Sequence, residues 1–372
     1  MESNTSGRAP RKRPATRGRL PLVAASLVVA ALSCVTPAAR AQAPAGNVFN
    51  PDISVIGNFL GIAGHNAVDS QPSLQLKEAE LGLQAIVDPY ARADFFLTFG
   101  STSGSVGVEE GYVTFLTLPG DVIAKVGKLK GAFGKLNTEH THARLFADVP
   151  LNMTNLLGSE DGIEDSGISV SRLIPAPAGI FLEATAQLFE GSSDNLFHAY
   201  TRNDVEPLFH LKGYGDLSED SNLEIGGSWT QGTNLNGPGF RTSLTGIDAT
   251  FRWKPLSRGL YRSLLVRGEW TLSEKESPTG TVRAEGYYLL AQYQLDRRWF
   301  AGYRHDESDH ADDASLRDRG NSLIVTYWPS EFSEVRAQAR RNVYDLPTGK
   351  STATELLVQL QFSIGAHGAH SF

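Results

Sequence analysis

The sequence predicts an all-β chain, a transmembrane antiparallel β-barrel of about 16 strands with short periplasmic turns and long extracellular loops. Three observations predict it. From Pro51 to Phe372 apolar and polar residues alternate in short runs, the connections between runs are short and long by turns, and the length suits the count. Sixteen strands leave about twenty residues for each strand and its link, enough for a tilted strand of about ten residues.

The last run is the clearest strand. Leu356, Val358, Leu360, Phe362 and Ile364 share one face, and Gln359, Gln361 and Ser363 share the other. That is a period of two. A soluble sandwich alternates as well, so the connections decide. Tight turns fall at Asp88-Pro89, Pro119-Gly120, Pro175 to Gly179, Glu219 to Asn222, Lys254 to Gly259, Asp296-Arg297 and Pro329 to Glu331. The longer polar links are Gly61 to Ser73, Gly100 to Gly107, Lys130 to Glu160, Gly191 to Glu206, Gln231 to Arg241, Ser273 to Gly280, His305 to Arg319 and Asn342 to Ser351.

Ahead of the strands, Arg8, Arg11, Lys12, Arg13, Arg17 and Arg19 precede an apolar stretch from Leu20 to Val35 and small residues at Ala39, Ala41 and Ala43. Residues 1–41 read as a cleaved secretory signal peptide, 42–51 as a short periplasmic lead-in, and 52–372 as a single barrel domain. The single cysteine, Cys34, lies within the signal, so the mature chain has no thiol for disulfides, metal or nucleophilic catalysis. Leu32-Ser33 ahead of Cys34 leaves a lipoprotein start as the alternative cleavage reading. Residues 1–41 hold seven of the 34 basic residues and one of the 41 acidic ones, so 27 positive charges face 40 negative ones in the mature chain. That balance argues against a nucleic-acid partner.

Strand by strand, the period of two gives an outward set: Ala93, Phe95, Leu97 and Phe99; Leu182, Ala184, Ala186 and Leu188; Phe209 and Leu211; Ile247, Ala249, Phe251 and Trp253; Leu289, Ala291 and Tyr293; Val335, Ala337 and Ala339. Backbone groups at lipid depth must bond to a neighbouring strand, so the sheet is expected to close. Tyr90, Trp253, Tyr261, Trp299, Trp328 and Phe332 stand beside the tight turns, where an aromatic girdle belongs.

The inward set is charged. Arg92, Lys125, Lys212, Arg252, Arg267, Arg304, Arg336, Arg340, Asp94, Glu183, Asp248 and Glu269 are the expected pore-lining residues, with Asp216, Glu224 and Glu355 on the same phase. Charges in a dry interior carry a heavy desolvation penalty, so a wet lumen is expected. The basic residues bunch late in the chain. They make either a positively charged wall favouring anions or neutralising pairs that hold the wall rigid, and the sequence cannot pair them.

The longest link, GAFGKLNTEHTHARLFADVPLNMTNLLG from Gly131 to Gly158, holds apolar residues with no use in open water: Phe133, Leu136, Leu145, Phe146, Val149, Leu151, Met153 and Leu157. This third loop, about 130–160, is expected to fold inward and form the constriction. Within it His140 and His142 flank Thr141. If the segment is extended they point the same way, as a bidentate zinc site needs, though no third ligand is identifiable and hydrogen bonding within the loop is the competing role. His305 and His310 sit in the acidic run HDESDHADDASLRDRG of the seventh long link, which reads as a solvated loop or a cation attractor. His367 and His370 read as ordinary residues on the turn side. No Gly-x-Ser-x-Gly elbow, His-Glu-x-x-His helix or Gly-rich phosphate loop occurs, so no catalytic residue and no enzyme activity is expected.

Three stretches, NVFNPDISVIGNFLG, LNTEHTHARLFADVPL and VQLQFSIGAHGAHSF, together resemble a family of porin-like bacterial outer-membrane proteins related to phosphate-selective porins. That family is often labelled zinc-regulated TonB-dependent outer-membrane receptor. The likeness runs over nearly the whole mature chain. It implies a barrel in the bacterial outer membrane, surrounded by lipid and lipopolysaccharide, inserted by machinery that reads a terminal aromatic such as Phe372, and commonly a homotrimer. The receptor label implies an N-terminal plug, which a first strand beginning by about Ile53 leaves no room for. The zinc label fits regulation of expression as well as metal binding by His140 and His142. The expected function is therefore passive diffusion of small hydrophilic or anionic solutes without a cofactor. Zinc uptake through His140 and His142 is the alternative, and a barrel hydrolase the third reading.

Overall fold

The computed structural model describes residues 51–99, 106–177 and 179–365, together with Met1. Apart from Met1 and Pro51, the segments expected as signal peptide and lead-in lie outside the described residues, as do Cys34, His367, His370, Phe372 and most of the Gly100 to Gly107 link. The strands are β1 Asp52–His65, β2 Leu74–Asp88, β3 Ala91–Phe99, β4 Val106–Leu118, β5 Val122–Lys130, β6 Glu164–Pro175, β7 Phe181–Phe189 and β8 Glu206–Ser218. They continue as β9 Ser221–Thr233, β10 Arg241–Trp253, β11 Leu264–Ser277, β12 Gly280–Asp296, β13 Trp299–His310, β14 Asp313–Ser330, β15 Ser333–Leu346 and β16 Gly349–Gly365. Each pairs antiparallel with its sequence neighbours, and β1 closes on β16 from Ser54–Gly365 to His65–Thr354, so the sixteen strands form a closed barrel. Closure leaves no strand edge, which a sheet in hydrocarbon requires.

The alternation of β16 shows which solvent lies outside. Leu356, Val358 and Leu360 are 45–47 % exposed, whereas Glu355 and Gln359 on the opposite face are 5 % and 1 % exposed. The apolar side faces outward and the polar side inward, the reverse of a soluble protein and the pattern of a lipid-embedded barrel. Phe95, Phe209, Ile247 and Leu289 repeat it on other strands, all exposed as the period of two predicts. Tyr90, Tyr261, Trp299 and Phe332 stand exposed beside the tight turns, in the position of a girdle.

The seven tight connections fall where the sequence places them, although the one between Trp253 and Leu264 is longer than the Lys254 to Gly259 turn expected. The last three long links are different. The segments read as loops from Ser273 to Gly280, His305 to Arg319 and Asn342 to Ser351 are β-hairpins, in which β11 runs to Ser277, β13 to His310 and β15 to Leu346 before the chain turns back. The reason is physical. Beyond the lipid both faces of a strand meet polar surroundings, so SEKES and HDESDH lose the apolar alternation while keeping the ladder hydrogen bonds.

The core sits inside the barrel. The third loop runs between Lys130 and Glu164 and contains two short 3-10 turns, Leu136–Thr138 and Thr141–Ala143, and a six-residue helix, α1, Leu151–Leu156. Phe133, Leu136, Phe146, Val149, Met153, Leu156 and Leu157 of this loop are buried in one cluster with inward residues of the wall, including Leu208, Leu244, Tyr288, Leu290 and Ile324. Each such side chain contributes about 1.5–3 kcal/mol on full burial. A glycine makes the approach feasible: a Cβ on Gly246 would meet the Phe133 ring at 2.9 Å. Asn137 fastens the two ends of the loop, donating to Gly131 O (2.7 Å) and Ile163 O (2.9 Å) and accepting from Ile163 N (2.9 Å).

Candidate functional site

The third loop crosses the lumen and makes contact with several walls in sequence. Gly134 N donates to Ser228 Oγ on β9 at 2.9 Å, and Leu136 N donates to Glu269 on β11 at 2.7 Å. Gly134 has φ +65°, and a Cβ there would collide with the Glu269 carboxylate, so the loop passes β11 only as glycine. Lys135 pairs with Glu224 at 2.6 Å, and Arg267 Nη1 donates to both Glu139 oxygens at 2.8 and 2.9 Å.

On the far side the loop reaches β2 and β4. His140 stacks edge-on against Phe96, with ring centroids 4.7 Å apart. Its Nδ1 lies 3.1 Å from Glu80 Oε2 and its Nε2 lies 2.9 Å from Glu110 Oε2. His142 Nδ1 is 3.3 Å from the same Glu80 oxygen, and Glu109 Oε1 is 3.5 Å from His140 Nδ1. Glu109 and Glu110 both point inward because β4 has a bulge: Phe96 pairs with Glu110 and Leu97 with Val108, leaving Glu109 as the extra residue. Burial disfavours the imidazolium, but the hydrogen bonds its ring donates to Glu109, Glu110 and Glu80 outweigh it and hold the His140 pKa well above its ordinary value.

The loop then meets β13 to β16. Gln361 donates to His142 O at 3.0 Å, Arg336 to Arg144 O at 2.8 Å, and Gln338 accepts from Ala147 N at 2.9 Å. Asp148 takes both Nη atoms of Arg304, at 2.8 and 3.0 Å, and Arg340 Nη1 at 3.1 Å. Arg304 also reaches Asp306 at 2.9 Å and lies over the Phe146 ring, and Arg340 pairs with Glu355 at 2.7 Å. Burial alone would raise the Asp148 carboxyl, but the Arg304 and Arg340 guanidinia hold it well below the usual carboxylate range.

Nine of the twelve expected pore-lining residues therefore separate into two groups. Arg267, Arg304, Arg336 and Arg340 point inward as expected but are buried, and what they face is the third loop and neighbouring carboxylates in place of open water. Glu269 is spent on Leu136 N and on the Tyr288 hydroxyl. These four arginines are each paired with a carboxylate: Arg267 with Glu139, Arg304 with Asp148, Arg336 with Glu334 and Arg340 with Glu355. Arg92, Asp94, Lys125 and Glu183 instead border an internal cavity of about 570 Å³ beside the loop, with Gln84, Tyr112 and Ser171. Lys125 lies 4.3 Å from the centre of the Tyr112 ring. Arg92 pairs with Asp94 at 2.7 Å, and Lys212 with Glu183 at 3.2 Å.

The histidines depart from the extended geometry expected. Residues 141–143 form a 3-10 turn, yet the two rings still converge, with centroids 5.5 Å apart. The partner that sequence reasoning missed is Glu80, with Glu78, Glu109 and Glu110 around it. Glu78 and Glu80 share the inward phase of β2, but nothing local marks them as neighbours of a loop sixty residues on. His305 and His310 lie on β13, where His305 contacts Asn321 at 3.1 Å and His310 contacts Asp318 at 3.1 Å.

No family model matches the chain. The sequence is 29 % identical over 388 residues to an uncharacterized protein of Aquifex aeolicus (strain VF5), covering 87 % of this chain and 80 % of that protein. Among solved structures the chain is similar to an anion-selective porin from Comamonas acidovorans, with TM-score 0.59 and 12 % identity over 85 % of this chain and 100 % of that one. It is also similar to OprB of Pseudomonas putida, with TM-score 0.58 and 11 % identity over 85 % and 94 % of the two chains. A third likeness is to the trimer form of OmpT, an outer-membrane protein of Vibrio cholerae, with TM-score 0.56 and 12 % identity over 85 % and 99 %. At these identities the likeness is one of fold, and the fold is the closed sixteen-stranded antiparallel barrel of the porins.

Proposed function

We propose that the chain is a bacterial outer-membrane channel through which small hydrophilic or anionic solutes diffuse passively, and that it performs no chemistry. The observation that carries this reading is a closed barrel with an apolar outer band, within which a loop held by ion pairs stands beside a charged cavity. Its porin-like fold supports the same reading. Residues 1–41 would export the chain, 42–51 would lead into β1, and the insertion machinery would deliver residues 52–372 to a bilayer containing lipopolysaccharide. A homotrimer is the proposed assembly, supported by the trimer form of OmpT among the similar structures.

Within this reading the third loop sets the width and the wall charges screen the solute. Arg92, Lys125, Lys212, Arg252, Asp94 and Glu183 would meet passing solutes, whereas Asp248 is 3 % exposed and would act from behind the surface. Arg267, Glu269, Arg304, Arg336 and Arg340 would act through the loop they hold. A metal-uptake reading draws on one observation, the meeting of His140 and His142 at Glu80. Those donors are buried between the loop and the wall, which favours a resident ion over a cargo in transit.

Swelling of liposomes carrying the purified protein tests the channel. Small sugars and amino acids are expected to enter faster than into protein-free liposomes, with the rate falling steeply as solute size rises. Entry no faster than into protein-free liposomes would refute passive diffusion.

A further inference from the structure

We propose that the third loop is clasped to the β2–β4 wall by one divalent transition-metal ion, held by His140 Nδ1, His142 Nδ1, Glu80 Oε2 and a fourth carboxylate from Glu109 or Glu78. Three of the donor pairs are already spaced for it. Metal bonds of about 2.0–2.1 Å in a regular tetrahedron place neighbouring donors about 3.3–3.4 Å apart. The three separations here are 3.1 Å from His140 Nδ1 to Glu80, 3.3 Å from His142 Nδ1 to Glu80, and 3.5 Å from His140 Nδ1 to Glu109. Two imidazoles with two carboxylates suit zinc and its neighbours better than calcium or magnesium, which take oxygen ligands alone.

The surroundings complete the arrangement. The other His140 nitrogen, Nε2, faces Glu110 Oε2 at 2.9 Å, and Glu110 Oε1 is fixed by Lys130 N at 2.8 Å. A carboxylate bonded to the far nitrogen of a ligating histidine sets its tautomer and aims the near nitrogen at the metal. Glu78 supplies an independent observation. It is 7 % exposed, its Oε2 has no hydrogen-bond partner, and it faces the Glu80 and Glu109 oxygens. Four carboxylates, Glu78, Glu80, Glu109 and Glu110, crowd together, and the nearby cations are Lys130, Arg144 and, without a metal, the His140 imidazolium. A divalent ion would take the place of the proton on His140 Nδ1 and cross-link the loop to two strands sixty and thirty residues away in sequence.

The clasp stands on the packing of the loop, while its effect on flow rests on the channel reading. The test is equilibrium titration of chelator-treated, detergent-solubilised full-length mature barrel with zinc, followed by cobalt. One saturable site per chain is expected, with cobalt giving the intense visible bands of a tetrahedral centre. His142→Ala and Glu80→Gln are each expected to weaken zinc binding by at least about a hundredfold, since even outer-shell losses cost about 10–100-fold. The double variant His305→Ala with His310→Ala should bind as the parent does. Folding of each variant is checked by heat-modifiable gel mobility, and the cobalt spectrum of the unaltered protein decides the matter even if Glu80→Gln fails to fold. No saturable zinc site, octahedral cobalt bands, or undiminished affinity in folded His142→Ala would overturn the clasp. A barrel that conducts without binding metal defeats the clasp alone, and one that binds metal but never conducts defeats the channel reading alone.

Discussion

Asp148 of the third loop and Arg304 of β13, 156 residues apart in sequence, form a two-pronged ion pair at 2.8 and 3.0 Å inside the barrel. Arg340 reaches the same carboxylate, so one loop residue pairs with two wall arginines, while Asp306 and Glu355 supply the rest of the countercharge. Removing it would leave both guanidinia buried without that partner. Asp148→Ala is expected to destabilise the folded loop by about 3–5 kcal/mol, the usual effect of breaking a buried pair. Limited proteolysis checks this: residues 131–158 should become cleavable in the variant while the strands stay resistant. Equal resistance in variant and parent would show that the pair does not anchor the loop.

The same pair sets a pH window. The folded Asp148 carboxyl is held below its unfolded value of about 3.9, so its stabilisation is complete above that value and is lost as pH falls through the folded pKa. The stability gap between the parent and Asp148→Asn should therefore stay constant between about pH 5 and 8 and narrow only below about pH 4. Chemical denaturation at a series of pH values measures the gap. A gap that closes near neutrality would assign the anchoring to another group.

Charge selectivity is expected to respond at the cavity and less cleanly at the arginine wall. Lys125 borders the cavity, so Lys125→Glu should move the reversal potential in a salt gradient towards cations with the loop intact. Arg340→Glu would instead set a third carboxylate against Asp148 and Glu355 and loosen the loop, so noisier currents are expected along with any shift. If Arg340→Glu shifts selectivity without added noise while Lys125→Glu does nothing, the two roles are reversed.

On the outside, Leu289 is exposed on the lipid phase of β12. Leu289→Arg is expected to lower the stability of the barrel in lipid vesicles by about 2–4 kcal/mol if the site is near the midplane. Arg283→Glu, on the part of β12 that pairs with the end of β11, should change it little. Equal effects at the two positions would contradict the assignment of the lipid band.

Much of this architecture was legible in the chain. Period-two runs such as Leu356 to Ile364 disclose strands because lipid and lumen face opposite sides of each one, and the tight turns register the count. The reading fails where that contrast disappears. Past the lipid, HDESDH and SLRDRG meet polar surroundings on both sides, so a continuing hairpin resembles a loop. It also fails for partnerships across the barrel. His140 was visible as a donor, but Glu80 and Glu110 join it only through the fold of the loop, and Glu109 only through a bulge whose presence the sequence does not mark. The arginines were visible as inward charges, while their partners Glu139 and Asp148 belong to a loop whose path no local pattern specifies.

The most direct test of the account is single-channel recording of the purified protein in planar bilayers under a salt gradient. Discrete, lasting conductance steps are predicted, with a reversal potential that moves towards cations in Lys125→Glu. A correctly folded, bilayer-inserted barrel that never conducts would contradict the proposal that solutes pass between the third loop and the wall.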